Sequence, residues 1–153
     1  MNILNVLEQF DNIKSSFLIE MTEDELNRAI AHLNQSIFKK NKMVLLDTRH
    51  FVFDRVVHGN RQYIQAEDFV KCVEALFRNN KHLSIIDKRR VKRQMYDAAI
   101  TNLNTNLTVV LSFHFERDKI NGMFPVTLLT AIIKDPDKRF TPKKDTVHFK
   151  ARF

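Results

Sequence analysis

The stretch LTVVLSFHFERDKINGMFPVTLLTAIIK, residues 107–134, decides the fold. Its apolar period is two. Leu107, Val109, Leu111, Phe113 and Phe115 alternate with Thr108, Val110, Ser112, His114 and Glu116, as in a strand whose successive side chains point to opposite faces. Asn121 and Gly122 form the dipeptide that best tolerates the left-handed backbone of a two-residue hairpin turn. The run 124–134, nearly continuous in Val, Leu, Thr and Ile, predicts a central partner strand. After a Pro-bounded basic loop, DPDKRFTPKK, a last strand places Val147 and Phe149 on one face and Thr146, His148 and Lys150 on the other.

Upstream the period is helical. Ile3, Val6, Leu7, Phe10, Ile13 and Phe17 recur in steps of three and four and predict a first helix. Thr22 and Glu25 carry the capping-box pattern of a second, with Leu26, Ala29, Ile30, Leu33, Ile37 and Phe38 as its stripe and Lys39, Lys40 and Lys42 at its C-terminal end. Residues 43–46 predict a short buried strand. A helix from Arg49 is the reading of the next segment, although Phe51, Val52, Phe53, Val56 and Val57 also suit a strand. Residues 66–77 predict an amphipathic helix with Phe69, Val70, Val73, Leu76 and Phe77 inward, stopped at Asn79 and Asn80. Residues 82–86 predict a strand, and KRRVKRQMYDAAI a short basic helix or structured loop. Helices first and sheet after give an α+β domain, an N-terminal helical hairpin packed on a C-terminal antiparallel sheet.

With 153 residues, 44% of them hydrophobic, the chain suits one domain, residues 1–153, with a full core. Two glycines leave no room for a Gly-rich phosphate loop, which argues against nucleoside-triphosphate hydrolysis. The single cysteine, Cys72, excludes an intramolecular disulfide and a cysteine zinc cage, and its place on an apolar helix face predicts a core thiol. No run approaches the roughly 20 apolar residues of a membrane span and the N-terminus lacks a signal-peptide pattern, so a soluble, cytoplasmic protein is expected. The net charge of +7 favours polyanionic partners, nucleic acid first among them.

Three cationic clusters stand out. The first is His50, Arg55, His58 and Arg61. The second is Lys88, Arg89, Arg90, Lys92 and Arg93. The third combines His114, His148 and Lys150 with Lys138, Arg139, Lys143 and Lys144. This inventory suits metal-independent RNA cleavage. A base takes the 2′-hydroxyl proton, cations stabilise the charge gathering on phosphorus, and an acid protonates the leaving 5′-oxygen, yielding a 2′,3′-cyclic phosphate. His50 or His58 is the candidate base, Arg55 the phosphate-positioning cation, and His114 or His148 the acid. Tyr63 or Tyr96 is the candidate for stacking on a nucleobase. No HExxH pattern and no concentrated acidic pair beside a strand end is present, so neither a metal nor another cofactor is expected.

The helical hairpin, the strand ending in LDTRHFVFDRV, the helix AEDFVKCVEALF and the late hairpin with its basic Pro-containing tail together resemble RelE-type endoribonucleases. The likeness is greatest to the RegB-type endoribonucleases of phages, over residues 43–77 and more loosely 107–144. It implies a RelE-like microbial RNase fold, an RNA partner such as ribosome-associated mRNA, and cleavage without metal. That group carries a histidine four residues before an arginine. Here Phe51 is four before Arg55 and His50 five before, while His58, three after, shares the arginine's helical face. Two other functions fit the same residues: a non-catalytic binder of nucleic acid or ribonucleoprotein, such as a phage factor redirecting host machinery, and a protein whose charge matches an acidic protein partner.

Overall fold

The computed structural model describes residues 22–46, 64–133 and 143–153. The predicted helix at residues 2–18 and the segment from Arg49 lie outside them. Helix α1 spans Glu23–Leu33 and begins with the predicted capping box: Thr22 Oγ1 accepts from the Glu25 amide at 3.1 Å while the Glu25 carboxylate turns back to Thr22. Its apolar stripe then meets a register problem, because Phe38, the next fully buried residue after Leu33, lies five positions on. A π-helical turn over Asn34–Phe38 solves it, since widening the spiral by one residue returns a five-residue step to the same face. A 3₁₀ turn, Lys39–Asn41, leads through Lys42, at φ +58°, into strand β1, Met43–Leu45.

Helix α2, Ala66–Arg78, matches its predicted range within a residue. Asn79 is extended and does two jobs. It stops α2 and, through Oδ1 accepting from the His82 amide at 3.1 Å, it starts helix α3, Asn80–Val91. This overturns the strand predicted at residues 82–86. The β-branched pair Ile85 and Ile86 gives a local strand preference, but the cap, together with burial of His82 and Ile86 four residues apart, selects the helix.

Strands β2 (Tyr96–Asn102), β3 (Leu107–Phe113), β4 (Phe124–Ile133) and β5 (Val147–Ala151) complete an α+β fold. The strand order is β1-β4-β3-β2-β5. The two central pairs, β2–β3 and β3–β4, are antiparallel, whereas β1 lies parallel to β4 and β5 parallel to β2. The sheet is therefore mixed, which corrects the antiparallel expectation: hairpin signals are local, but parallel edges depend on long connections that leave no short-range mark. The Asn121-Gly122 turn forms as predicted, with φ of +52° and +78° between the paired Ile120 and Met123.

The helices cover one face of the sheet. Leu26, Ile30, Leu33 and Phe38 join Phe69, Val70, Val73 and Leu76 of α2 over Ile100, Leu107, Val109, Leu111 and Phe113. Cys72 is buried in this core as expected, and burial pushes its thiol up to about 12, with the Asp68 carboxylate adding to the effect. Asn34 closes the outer edge of β1. Its Nδ2 donates to the Leu45 carbonyl at 2.7 Å and its Oδ1 accepts from the Leu45 amide at 2.6 Å, the pair of bonds a strand partner would make. Among the described residues no helix is long and apolar enough to cross a membrane.

Candidate nucleic-acid interface

Lys88, Arg89 and Arg90 form the last turn of α3, where positive charge opposes the negative end of the helix dipole. The chain leaves the helix by a Schellman turn. The Gln94 amide reaches back to the Arg89 carbonyl at 3.0 Å and the Arg93 amide to the Arg90 carbonyl at 3.2 Å. The left-handed position of such a turn normally holds glycine. Here it holds Arg93, at φ +54°, a conformation that costs a side-chain-bearing residue about 1 kcal/mol.

Arg93 is held there by its own side chain. Nη2 donates to the Arg117 carbonyl at 2.9 Å, joining the end of α3 to the β3–β4 hairpin, and the guanidinium lies 5.0 Å from the centre of the Phe124 ring. Its neighbours are seated in the same way. Arg89 lies over Tyr96 and Arg90 over Phe115, each at 5.6 Å, while Lys119 shares the Phe124 ring at 4.9 Å. The rings belong to one ladder across the end of the sheet. Tyr96 stacks on Phe113 at 4.9 Å, Tyr96 and Phe115 are 6.1 Å apart, and Phe115 meets Phe124 edge-on at 5.2 Å. Strand register thus sets the pitch of a row of cations, each attracted to the negative face of a ring.

Among the described residues, none of Lys88, Arg89, Arg90, Lys92 and Arg93 has a carboxylate within ion-pair distance. Arg90 Nε is in addition buried without a hydrogen-bond partner. Because β5 runs parallel to β2 with Val147 opposite Ala98, the residues just before β5, including exposed Lys143 and Lys144, come to this same end of the sheet. Lys150, opposite Thr101, is exposed further along β5. Arg117 and Lys119 were not singled out from the sequence, because only the tertiary contact through Arg93 assigns their hairpin to the cluster. His50, Arg55, His58, Arg61, Lys138 and Arg139 lie outside the described residues, as does Tyr63.

His114 and His148 stand on the sheet face opposite the helices. His114 is buried with both ring nitrogens engaged: Nδ1 with Glu116 Oε1 at 3.3 Å and Nε2 with Thr127 Oγ1 at 3.0 Å. Since a carboxylate only accepts, Nδ1 carries the proton toward Glu116. His148 Nε2 lies 2.8 Å from Thr101 Oγ1, which continues to Thr108 Oγ1 at 2.6 Å. Burial lowers the His148 pKa, and the nearby Lys150 charge lowers it further. His148 pairs with Ala99, and Ala99 with Val110, so the two histidines are two strands and four residues apart. That is roughly 16 Å at about 4.8 Å per strand and 3.3 Å per residue. The 2′- and 5′-oxygens of one cleavage event share a phosphorus, so this pair does not supply both the base and the acid.

Tyr96 is 3% exposed and its hydroxyl lies 3.0 Å from His82 Nε2, so it packs inside the ladder and presents no face for stacking on a base. His82, fully buried, is a structural histidine. The Leu76 carbonyl can only accept, so Nδ1 donates to it at 3.0 Å, leaving Nε2 to accept from Tyr96. Burial brings its pKa down to about 4, so the ring is neutral at physiological pH. The described residues contain no group of three or more His, Cys, Asp and Glu side chains placed to hold a metal ion.

Comparison with protein-family models, with curated proteins and with solved structures finds nothing that matches this chain, so the likeness to RelE- and RegB-type endoribonucleases rests on the quoted sequence features alone.

Proposed function

We propose that the chain is a nucleic-acid-binding protein whose contact surface is the cationic end of the sheet, with RNA as the favoured partner. One observation carries the reading: Arg89, Arg90 and Arg93 are fixed on the rings of Tyr96, Phe115 and Phe124 with no carboxylate partner among the described residues. Guanidinium groups resting on ring faces are held in place in advance, and an anion that meets them finds donors already aimed. A row of such donors suits the regularly spaced charges of a polynucleotide better than the scattered carboxylates of a protein surface. The net charge of +7 supports the same partner through long-range attraction.

Arg93 separates a structural from a binding role. Glycine at its left-handed position relieves backbone strain while removing the cation. Arg93→Gly is therefore expected to leave stability unchanged or slightly higher, yet to weaken binding to a short labelled oligoribonucleotide. Binding falls as salt rises, with a slope of about 0.7 per phosphate neutralised on a single strand, and Arg93→Gly lowers that slope by about one contact. Fluorescence polarisation across a salt series measures both. A salt-independent signal, or none, rejects the reading.

The same purified protein, incubated with mixed RNA in EDTA, tests cleavage. Intact bound RNA marks a binder. Discrete cuts with cyclic phosphate ends that vanish in His50→Ala or His58→Ala mark an endoribonuclease that uses this surface to hold its substrate.

A further inference from the structure

The cationic end of the sheet is also the apolar end of the surface. Among the described residues four large hydrophobic side chains are exposed, and three of them, Val91 (84%), Met95 (45%) and Ile120 (46%), lie here. Val91 ends α3, Met95 precedes β2, and Ile120 opens the hairpin turn beside Lys119. The Arg93–Arg117 hydrogen bond ties the two loops together. Val91 and Met95 flank Lys92 and Arg93 in the chain, so cations and hydrocarbon alternate over one composite patch. Isolated exposed hydrophobics need no explanation, but their concentration in the most highly charged part of the molecule does.

We infer that this patch takes single-stranded rather than duplex nucleic acid, with phosphates on Arg89, Arg90, Lys92 and Arg93 and unstacked bases on Val91, Met95 and Ile120. The inference rests on the nucleic-acid reading above and adds the strandedness of the partner. A duplex turns its phosphates outward and keeps its base faces stacked, so it satisfies the cations and leaves all three apolar groups in water. A single strand offers both kinds of surface at once, because every unstacked base has an apolar face that can cover aliphatic groups whatever the base. Ring-to-ring steps of 6.1 and 5.2 Å beneath the cations hold Arg89, Arg90 and Arg93 close together, so that successive phosphates of one strand can reach them.

The test compares a labelled single-stranded oligoribonucleotide with the duplex of the same length and sequence, against the full chain and two variants. The first variant combines Val91→Ser, Met95→Ser and Ile120→Ser, all at exposed positions outside the helical core, with thermal unfolding of the variant checked alongside binding. The second is Arg93→Gly. The single strand is expected to bind at least about ten-fold more tightly than the duplex, and the triple variant to lose about ten-fold for the single strand only, as its apolar contact with the bases is removed. Its salt slope stays that of the parent, while Arg93→Gly weakens both substrates. Equal affinity for the two forms, or a triple variant that binds the single strand like the parent, overturns the inference and leaves the nucleic-acid reading in place. Failure to bind either form overturns both and turns the patch toward an acidic protein partner.

Discussion

The two faces of the central sheet use the same strands for opposite purposes. All seven residues of β3 are buried, but Leu107, Val109, Leu111 and Phe113 join the helical core, whereas Thr108, Val110 and Ser112 do not. On the helix face the imidazole of His82 is enclosed by Phe77, Tyr96, Phe113 and Phe149 and held neutral. On the opposite face hydroxyls, imidazoles and a carboxylate meet, in the chain His148–Thr101–Thr108 and in the contacts of His114 with Thr127 and Glu116. The difference teaches that burial alone does not give a histidine its role. The helix face encloses its imidazole among aromatic rings and holds it neutral, while the opposite face ties its imidazoles into hydrogen bonds with hydroxyls and a carboxylate.

The strongest challenge to this contrast is a change in the aromatic ladder. Phe113 is fully buried and contacts Tyr96, His82, Phe77 and Phe115. Phe113→Ala should lower the unfolding free energy by about 3–5 kcal/mol in urea titration. Because Tyr96 and Phe115 seat Arg89 and Arg90, it should also loosen the cationic row. A loss under about 1 kcal/mol would mean that the helix face is not the stabilising one.

Acid is the next test. The His82 pKa falls from 6.5 in the unfolded chain to about 4 in the folded one. Between those values the unfolded chain takes up a proton that the folded chain refuses, so lowering the pH favours unfolding. The contribution is fully present above pH 6.5 and is lost as pH falls toward 4, amounting to about 3 kcal/mol at 1.36 kcal/mol per pH unit. His82→Gln offers a donor to Leu76 and an acceptor to Tyr96 without titrating. Its stability should therefore decline less steeply over that window than the parent's. Identical slopes would contradict the trapped imidazole. His32, also lowered by burial despite the opposing charge of Glu74, acts in the same direction.

Which parts of this arrangement are legible in the sequence follows from how far apart the deciding residues lie. Thr22 and Glu25, Asn121 and Gly122, and the alternation from Leu107 onward are each settled within a few residues, and each forms as predicted. Strand β2 falls in a stretch whose local pattern predicts a basic helix or loop. Tyr96-Asp97-Ala98-Ala99 carries little strand preference, and pairing on both sides, to β3 and to β5, supplies what the local sequence lacks. The cluster at residues 88–93 is visible as charge density, but its seating is not, because Tyr96, Phe115 and Phe124 become neighbours only through strand register. Likewise the alternation places His114 and His148 on the second face correctly, yet the distance between them depends on the strand order.

The polar face has its own test, smaller in size. Thr101 links Thr108 to His148 and is 8% exposed. Thr101→Val keeps the shape and leaves a buried hydroxyl and an imidazole each without this partner, at a cost of about 1–3 kcal/mol. It should also change the His148 titration followed by NMR. If the pKa does not move, the hydroxyl chain does not govern that imidazole.

The smallest effect is expected one residue away from the largest, and it has the opposite sign. Ser112 precedes Phe113 on β3, points to the other face, is 1% exposed, and its Oγ has no hydrogen-bond partner. Directly across on β2 is Asp97, whose Oδ1 is likewise buried and unpaired. Ser112→Ala removes a dehydrated hydroxyl while changing volume by a single oxygen, so it should leave stability unchanged or raise it by about 1 kcal/mol. A loss of more than about 1 kcal/mol would show that the hydroxyl is hydrogen-bonded in solution, through water or a rotated Asp97, and that the polar face contributes to stability as the aromatic face does. The sign of ΔΔG for Ser112→Ala against Phe113→Ala, from urea midpoints under one buffer, therefore measures the asymmetry of the sheet on two adjacent residues of one strand.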